Sequence, residues 1–343
     1  MNPKASIVIP IYNEINLIEK FINKLYSTFE TLEIKFIFID DGSNDGSKEW
    51  LLENIPIIFN KKKYILKNLK KNYGKGYAVR EGIKFIEGNY TIFIDSDLEY
   101  DPLDALGLYN IAKENENIIA LYGSRYTGGK LQLRRHFIND VAVRLNTWIF
   151  NLLFDQSITD LHSGTKLIEN KLLNKLKLTL NGFGHEIDMS SEISKNRVNI
   201  YETGISYIER TFEEGKKITI IDGILSYYFL FKARFLQNDQ YIQISMLYSL
   251  TFMTFIGTFF GMGIGKIMIT IVFAFIGLVN AMHRKIFALS IVFLFIYLGS
   301  LFSNGNGRIF PILLFYFFSL WLTKRIFKNI KKTDKNSFLN FFI

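Results

Sequence analysis

The sequence predicts an α/β domain with a mostly parallel sheet, followed by a helical membrane domain. Three observations support this. Short apolar runs alternate with helical patterns over roughly the first two thirds of the chain. Acidic or small polar residues directly follow several of these runs, and the last third is nearly continuous apolar sequence. We therefore expect a cytoplasmic domain over residues 1–220, an interfacial amphipathic helix over 221–240, membrane helices over 241–327 and a cytoplasmic basic tail over 328–343.

Composition narrows the functional classes. The 343 residues include no Cys, which excludes disulfides and thiol catalysis, and the four His lack the spacing of zinc ligands. The net charge of +9 would suit nucleic acid, anionic lipid or phosphorylated substrates. The apolar last third favours lipid and phosphate over nucleic acid. Because residues 1–6 lead directly into a strand pattern, no signal peptide is expected.

The first elements read as strand, helix and strand. Residues 6–11 form a buried-strand pattern, and Asn13 is the expected N-cap of a helix with apolar residues at helical spacing. Residues 34–39 predict a second, parallel strand that ends in Asp40 and Asp41. An Asp at this edge can accept hydrogen bonds from a base N–H or from ribose hydroxyls. The alternative is an Asp-Gly turn with a helix cap at Ser43 or Ser47.

A glycine-rich segment comes next. Gly74-Lys75-Gly76 precedes a helix that we expect to begin near Tyr77. Glycines at a helix N-terminus let backbone N–H groups approach an anion, and Lys75 adds positive charge. The spacing is that of neither a Walker loop nor a GxGxxG fingerprint, so a plain turn is the alternative.

The central strand carries the strongest chemical signal. Residues 90–94 predict a strand that ends in Asp95-Ser96-Asp97. Open α/β sheets bind ligands at the carboxyl ends of their strands, and carboxylates suit Mg²⁺ or Mn²⁺. A solvated turn is the alternative. Pro102 then predicts a helix start, and a strand over residues 118–122 leads to Arg125, which suits phosphate.

These motifs resemble glycosyltransferase family 2 with its GT-A fold (Rossmann-like), and more narrowly the polyprenyl-phosphate glycosyltransferases related to dolichyl-phosphate mannose synthase. The resemblance covers roughly the first 235 residues. Its motifs occur in order as Pro10-Ile-Tyr-Asn-Glu14, Asp40-Asp-Gly-Ser43, Gly74-Lys-Gly76, Asp95-Ser-Asp-Leu-Glu-Tyr-Asp-Pro102, Gly123-Ser-Arg125, Thr159-Asp-Leu-His-Ser-Gly-Thr-Lys166, Gly182-Phe-Gly-His-Glu186 and Arg210-Thr-Phe-Glu-Glu-Gly-Lys-Lys-Ile218. Ser96 replaces a commoner Ala, and His162 stands where Thr or Glu is usual.

The resemblance, with the chemistry of the side chains, implies a role for each residue. The nucleotide-sugar site would comprise Pro10, Tyr12, Glu14, Asp41, Lys75, Asp95 and Ser96. The metal ligands would be Asp95, Asp97 and Glu99. The catalytic residues would be Asp97, Arg125, Glu186 and Arg210. The acceptor phosphate would meet Arg125, Arg134, Arg135, Lys216 and Lys217, while a solvated surface cation is the favoured interpretation of Arg144.

The membrane part rests on four apolar segments and two amphipathic helices. Residues 140–154 form a helix whose Trp148 face either packs on the domain or lies on the bilayer, and residues 224–235 form an interfacial stripe. About four spans are expected, at residues 242–264, 267–282, 286–302 and 309–323. Basic clusters then place both termini in the cytoplasm. Gly257 and Gly261 form a small-residue pair that packs within the chain or joins a homo-oligomer.

The predicted function is inverting transfer of one sugar from a nucleotide-diphosphate donor, UDP-sugar favoured and GDP-mannose as the second option, to polyprenyl phosphate at the cytoplasmic membrane face. A phosphate monoester is already ionised at neutral pH, so its attack needs cations more than a general base. One rival is a processive polysaccharide synthase, whose Gln-x-x-Arg-Trp motif is absent. The other is a non-catalytic membrane scaffold or flippase, against which the intact Asp95-Ser96-Asp97 argues.

Overall fold

The computed structural model describes residues 4–115, 117–182, 184–211 and 220–236. Its strands are β1 (Ala5–Ile11), β2 (Ile34–Asp40), β3 (Lys63–Asn68), β4 (Tyr90–Phe93), β5 (Ala120–Ser124), β6 (Gln132–Leu133), β7 (Lys166–Glu169), β8 (Tyr201–Gly204) and β9 (Tyr207–Ile208). Its helices are α1 (Ile15–Thr28), α2 (Ser47–Ile58), α3 (Lys75–Ile83), α4 (Pro102–Glu114), α5 (Phe137–Phe154), α6 (Asn170–Leu173), α7 (His185–Lys195) and α8 (Ile220–Phe231), and a π-helical turn follows at Lys232–Leu236.

Seven strands form one sheet in the order β3-β2-β1-β4-β7-β5-β8. All neighbouring strands run parallel except β7, which is antiparallel to both β4 and β5. The prediction of a mostly parallel α/β sheet is therefore confirmed. Strands β6 and β9 form a separate two-stranded sheet.

Apolar cores fill both faces of the large sheet. On one face, α1, α2 and α4 pack their buried residues against the strands, and Phe36 and Phe59 meet with ring centroids 4.7 Å apart. On the other face, α3, α6 and α7 bury residues that include Val79 and Met189. Each fully buried Phe contributes about 1.5–3 kcal/mol relative to an exposed one. The sheet is thus covered on both sides, as parallel sheets require, and its strand ends are left to form a site.

The start of α1 differs from the sequence prediction. Glu14, not Asn13, occupies the N-cap position, and its side chain makes no capping bond. Asn13 has a positive φ of 52° and accepts a hydrogen bond from the Asn44 N–H at 2.9 Å. The predicted Asn13 cap is therefore wrong, because the loop after β2 takes the Asn13 side chain. Helix α3 begins at Lys75, two residues before the expected Tyr77.

Five strands, β3, β6, β7, β8 and β9, were not expected from the sequence pattern. Strand β3 lies at the sheet edge and is only partly buried, and its short apolar run is flanked by Lys63 and Lys67. Strand β7 has only four residues, which is too short for a clear period-2 signal. The predicted strands over 6–11, 34–39, 90–94 and 118–122 correspond to β1, β2, β4 and β5.

The end of the described chain packs on the domain. Helix α8 contacts α5 and α7, and the Asn146 amide donates to the Ser226 hydroxyl at 2.5 Å. Leu230 of α8 and Ala233 of the π-helical turn are almost fully buried. Tyr228 remains about half exposed. Within residues 4–211 and 220–236, gaps aside, no helix has the length and apolarity of a membrane span. The predicted spans, the basic tail, Lys216 and Lys217 lie outside the described residues.

Candidate active site

The site lies where three parallel strands end side by side. Strands β2, β1 and β4 are neighbours, so their carboxyl ends share one edge of the sheet. The loops that leave this edge carry Asp41, Glu14 and the Asp95-Ser96-Asp97 segment. The predicted nucleotide and metal residues are thereby brought together, as expected for an α/β ligand site.

Arg210 joins this edge from far along the chain. One terminal nitrogen of its guanidinium lies 3.0 Å from the Glu14 carboxylate and the other lies 3.0 Å from the Asp97 carboxylate. Its Nε is 3.5 Å from Glu99. One arginine therefore binds three acids, each of them predicted to belong to the donor or metal site.

The acids around Asp97 carry more negative charge than Arg210 neutralises. Burial, together with the Asp95 and Glu99 carboxylates, raises the pKa of Asp97 to about 7, although Arg210 opposes the rise. Among the residues the structure describes, no three His, Cys, Asp or Glu side chains are arranged to hold a metal alone. Mg²⁺ commonly uses one or two carboxylates plus substrate phosphates. The pair Asp95 and Asp97 fits that donor set.

Lys75 forms ion pairs with both Asp95 and Glu186. The Lys75 ammonium lies 2.8 Å from the Asp95 carboxylate and 3.0 Å from Glu186. Burial would lower the pKa of Lys75, but the two carboxylates raise it above its usual value. Burial opposes ionisation of Glu186, yet His185 and Lys75 hold the pKa of Glu186 well below its usual range. Glu186 is thus an ionised partner of Lys75, an arrangement that suits positioning.

Gly164 provides the space for Asp95. A Cβ atom at this position would lie 2.2 Å from the Asp95 carboxylate oxygen and 2.8 Å from its carboxyl carbon. Such contacts are far below van der Waals separation, so any larger residue would displace Asp95. The absence of a side chain at Gly164 therefore allows the Asp95 carboxylate to occupy its position.

We expect Gly164→Ala to lower turnover of the sugar transfer predicted from the sequence by at least about 10-fold, because misplaced catalytic groups lose rate steeply with distance. Steady-state kinetics with varied Mn²⁺ would show a weaker apparent metal affinity as well. Gly107→Ala is the matched control, since nothing lies within 4 Å of a Cβ there. Equal activity of the two variants would contradict this role of Gly164.

Arg125 is held by a buried ion pair. Its Nε and one terminal nitrogen each lie 2.7 Å from the Asp160 carboxylate, and its backbone N–H donates to the same group at 3.0 Å. Burial would raise the pKa of Asp160, but Arg125 lowers it below the usual value. The Arg125 guanidinium also lies 5.0 Å from the Tyr207 ring centroid. Asp160 is a site residue that sequence reasoning missed, although it stands in one of the family-like motifs.

Glu99, a predicted metal ligand, holds the segment that carries Arg210. Its carboxylate accepts hydrogen bonds from the Tyr207 hydroxyl at 2.8 Å and from the Arg210 N–H at 3.0 Å. Its backbone carbonyl accepts from the Ile208 N–H at 3.1 Å. These bonds fix the main chain of β9 and Arg210 beside Asp97.

The nucleotide-side residues also have partners within the protein. Asp41 accepts backbone N–H bonds from Tyr73 at 2.9 Å and Gly74 at 2.8 Å, which ties the end of β2 to the start of α3. The Ser96 hydroxyl donates to the Pro10 carbonyl at 3.2 Å. Tyr12 and Pro10 are partly buried at the same edge.

The predicted acceptor-phosphate arginines lie beyond Arg125. Arg134 donates to the Arg125 carbonyl, and its guanidinium lies 4.5 Å from the Tyr126 ring centroid. Arg135 donates from Nε to the Glu209 carbonyl at 2.9 Å. Arg144 covers the same Tyr126 ring at 4.4 Å and pairs with Asp140. A band of arginines therefore extends from the site towards α5.

Comparison with solved structures supports the same fold. Two structures of glucosyl-3-phosphoglycerate synthase from Mycobacterium tuberculosis are similar, at 17% and 19% sequence identity. The complex with UDP has a TM-score of 0.51 and covers 66% of this chain and 79% of its own. The complex with Mg²⁺ and UDP has a TM-score of 0.50 and covers 67% and 78%.

Sequence comparison identifies the family. An uncharacterized protein of Methanocaldococcus jannaschii is 28% identical over 206 residues, which is 58% of this chain and 86% of that protein. The undecaprenyl-phosphate 4-deoxy-4-formamido-L-arabinose transferase of Proteus mirabilis is 31% identical over 118 residues, which is 34% of this chain and 36% of that transferase. A family model described as glycosyl transferase family 2 matches residues 6–177, half of the chain. The chain therefore belongs to glycosyltransferase family 2.

Proposed function

We propose that this glycosyltransferase moves one sugar from a nucleoside-diphosphate donor to a polyprenyl phosphate at a membrane surface, with a divalent metal as cofactor. The observation that carries the proposal is the pair Asp95 and Asp97 at the sheet edge, in a cluster with excess negative charge and with Arg125 and Arg210 nearby. The acids that would hold a metal and a cation that could meet phosphate therefore lie together at one edge of the sheet.

The donor side of the proposal rests on the two carboxylates. Asp95 and Asp97 would hold Mg²⁺ or Mn²⁺, which offsets the negative charge of the leaving diphosphate. Lys75 fixes Asp95, and Glu99 fixes the main chain of Arg210. The structural neighbours in complex with UDP and Mg²⁺, or with UDP and Mn²⁺, support a nucleotide-sugar donor and a divalent metal.

The acceptor side rests on the cations. A phosphate acceptor is ionised at neutral pH and needs positive charge to approach the donor. Arg210 contacts Asp97, Arg135 bonds to the neighbouring Glu209 carbonyl, and Arg134 bonds to the Arg125 carbonyl. We take these arginines to mark the route of the acceptor from Asp97 towards α5. Glu186 is occupied by Lys75 and His185, so it is poorly placed to serve as a general base for a hydroxyl acceptor. The partial similarity to an undecaprenyl-phosphate transferase points the same way.

An exposed apolar face lies beside this route. On α5, Phe137, Ile138, Val141, Leu145 and Trp148 fall within one arc of about 100° at 3.6 residues per turn and are 45–78% exposed. Leu133 and Ile208, paired across β6 and β9, are also exposed. We call these seven residues the apolar face. An apolar helix face beside arginines suits the bilayer interface, where a polyprenyl phosphate would present its head group.

Trp148 can report whether this face meets lipid. In a Trp50→Phe, Trp321→Phe background, we expect brominated phospholipids to quench Trp148 fluorescence in reconstituted full-length protein. The matched control adds Trp148→Phe and Ile57→Trp, which moves the reporter to a 70% exposed position on α2, and it should stay unquenched. Water-like emission from Trp148 without quenching would contradict docking of the apolar face.

The direct test is a transfer assay. Purified protein would be incubated with polyprenyl phosphate, Mn²⁺ or Mg²⁺ and a panel of radiolabelled UDP- and GDP-sugars, and label extracted into organic solvent would be counted. We expect metal-dependent label in the lipid phase from one donor, and none with Asp97→Asn. The product should carry one sugar; a growing polymer would point to a processive synthase. No lipid label from any donor, with the fold intact, would overturn the acceptor proposal.

A further inference from the structure

Arg210 binds Asp97, one of the two carboxylates that the proposed function assigns to the metal site. We propose that Arg210 is a built-in competitor of the divalent cation: it neutralises Asp97 in the donor-free enzyme and leaves Asp97 when metal and nucleotide bind. The inference rests on the proposed metal site at Asp95 and Asp97. It makes metal and donor binding interdependent.

The geometry places a guanidinium where a cation is needed. The two terminal nitrogens of Arg210 lie 3.0 Å from Glu14 and 3.0 Å from Asp97, which follow β1 and β4 respectively. The Arg210 side chain is only 14% exposed, so these charge-assisted bonds are largely shielded from water. The guanidinium therefore acts as the counter-ion of the cluster.

A metal ion and the Arg210 guanidinium could not bind the Asp97 carboxylate at the same time. A divalent cation needs the carboxylate lone pairs that Arg210 now engages, and two positive charges a few ångströms apart repel strongly in a shielded site. Asp95, the second proposed metal ligand, is neutralised by Lys75, and Lys75 is also held by an ion pair with Glu186. Arg210 has no comparable support at its terminal nitrogens, among the described contacts, other than the acids themselves. Of the two cations, Arg210 is the one placed to leave.

Glu99 allows the side chain to move while the main chain stays. It accepts the Arg210 backbone N–H at 3.0 Å and also holds Tyr207 and Ile208. A released Arg210 guanidinium is therefore kept within a side-chain length of Asp97. A diphosphate bound there offers it bidentate oxygen partners. After this exchange Asp97 would bind the metal and Arg210 would bind the diphosphate. Binding of the metal would therefore raise the affinity for the nucleotide, and binding of the nucleotide would raise the affinity for the metal.

The test measures Mn²⁺ binding without donor or lipid. Free Mn²⁺ would be followed by electron paramagnetic resonance during titration of the full-length protein in detergent. We expect Arg210→Met to bind Mn²⁺ at least 10-fold more tightly than the wild type, and Arg210→Lys, which keeps the charge but not the two-pronged geometry, to fall between them. Circular dichroism of each variant checks the fold, and the Lys variant decides the matter if the Met variant does not fold.

Arg144→Met is the matched control. It removes the same charge from an arginine that pairs with Asp140 on α5, so its Mn²⁺ affinity should equal that of the wild type. Unchanged or weaker Mn²⁺ binding by Arg210→Met would overturn the inference, as would an equal gain in Arg144→Met. Because the titration needs no sugar transfer, failure of the polyprenyl-phosphate assay leaves this result standing. Transfer activity combined with unchanged Mn²⁺ affinity would overturn the competitor role alone.

Discussion

Asp97→Asn is expected to lower turnover by about 1,000-fold while the protein stays folded, the upper end of the loss seen when one charge-stabilising group is removed from an active site. An amide is a weak metal ligand and carries no charge, so the variant would hold the cation poorly and leave the diphosphate charge uncompensated. Asn also gives Arg210 one acid fewer to bind. Donor affinity should fall less than turnover does.

The measurement is initial-rate kinetics with the donor found in the lipid-label assay, at several Mn²⁺ concentrations. Asp45→Asn is the control, because Asp45 bonds only to the turn around Ile15 and Ser47 in the described contacts. We expect its turnover to remain within about 2-fold of the wild type, since such surface changes cost little. Retention of a tenth or more of wild-type activity by Asp97→Asn would remove Asp97 from the proposed mechanism.

Of the substitutions proposed here, Asp160→Asn is expected to lower the free energy of unfolding the most. Asp160 is fully buried and binds the Arg125 guanidinium at 2.7 Å through both oxygens. Removing one partner of a buried ion pair leaves an uncompensated charge and costs about 3–5 kcal/mol. For a domain of this size, a loss of about 3 kcal/mol lowers the midpoint of thermal unfolding by roughly 6–12 °C.

Thermal unfolding followed by far-ultraviolet circular dichroism tests this expectation. Asp155→Asn is the matched control: Asp155 is exposed and has a positive φ of 53°, a conformation that Asn adopts readily. Its midpoint should stay within about 2 °C of the wild type, because surface substitutions change stability little. A midpoint for Asp160→Asn that matches Asp155→Asn would show that Arg125 finds another counter-charge.

The sequence predicted site residues best where a functional side chain comes directly after a strand. The runs before Asp41, Asp95 and Arg125 are buried strands, so the local pattern alone places their acids and arginine at one sheet edge. The helix start at Pro102 is equally local, and Asp101 caps it by accepting the Leu103 N–H. Propensity and pattern suffice for such features.

Long-range partners could not be found in this way. Glu99 is predicted as a metal ligand from its place in a motif, and that motif does not reveal its bonds to Tyr207 and Arg210, which lie more than 100 positions away. Asp160 gave no signal beyond its motif, because its role depends on where the fold brings Arg125. The side-chain competition that moved the cap from Asn13 likewise involves a loop 31 residues distant. The contacts of Glu99, Asp160 and Asn13 all depend on residues that only the folded chain brings close.

The antiparallel strand β7 has a consequence for the order in which the chain folds during synthesis. Strands β3, β2, β1 and β4 all lie within residues 5–93 and can pair as soon as they leave the ribosome. Strand β5 follows in sequence but contacts β4 only through β7, whose four residues emerge more than 40 positions later. The nascent protein must therefore hold a half-sheet with an open β4 edge until residues 166–169 arrive. Slowing translation between β5 and β7 should lengthen the time during which that edge can pair with a neighbouring nascent chain.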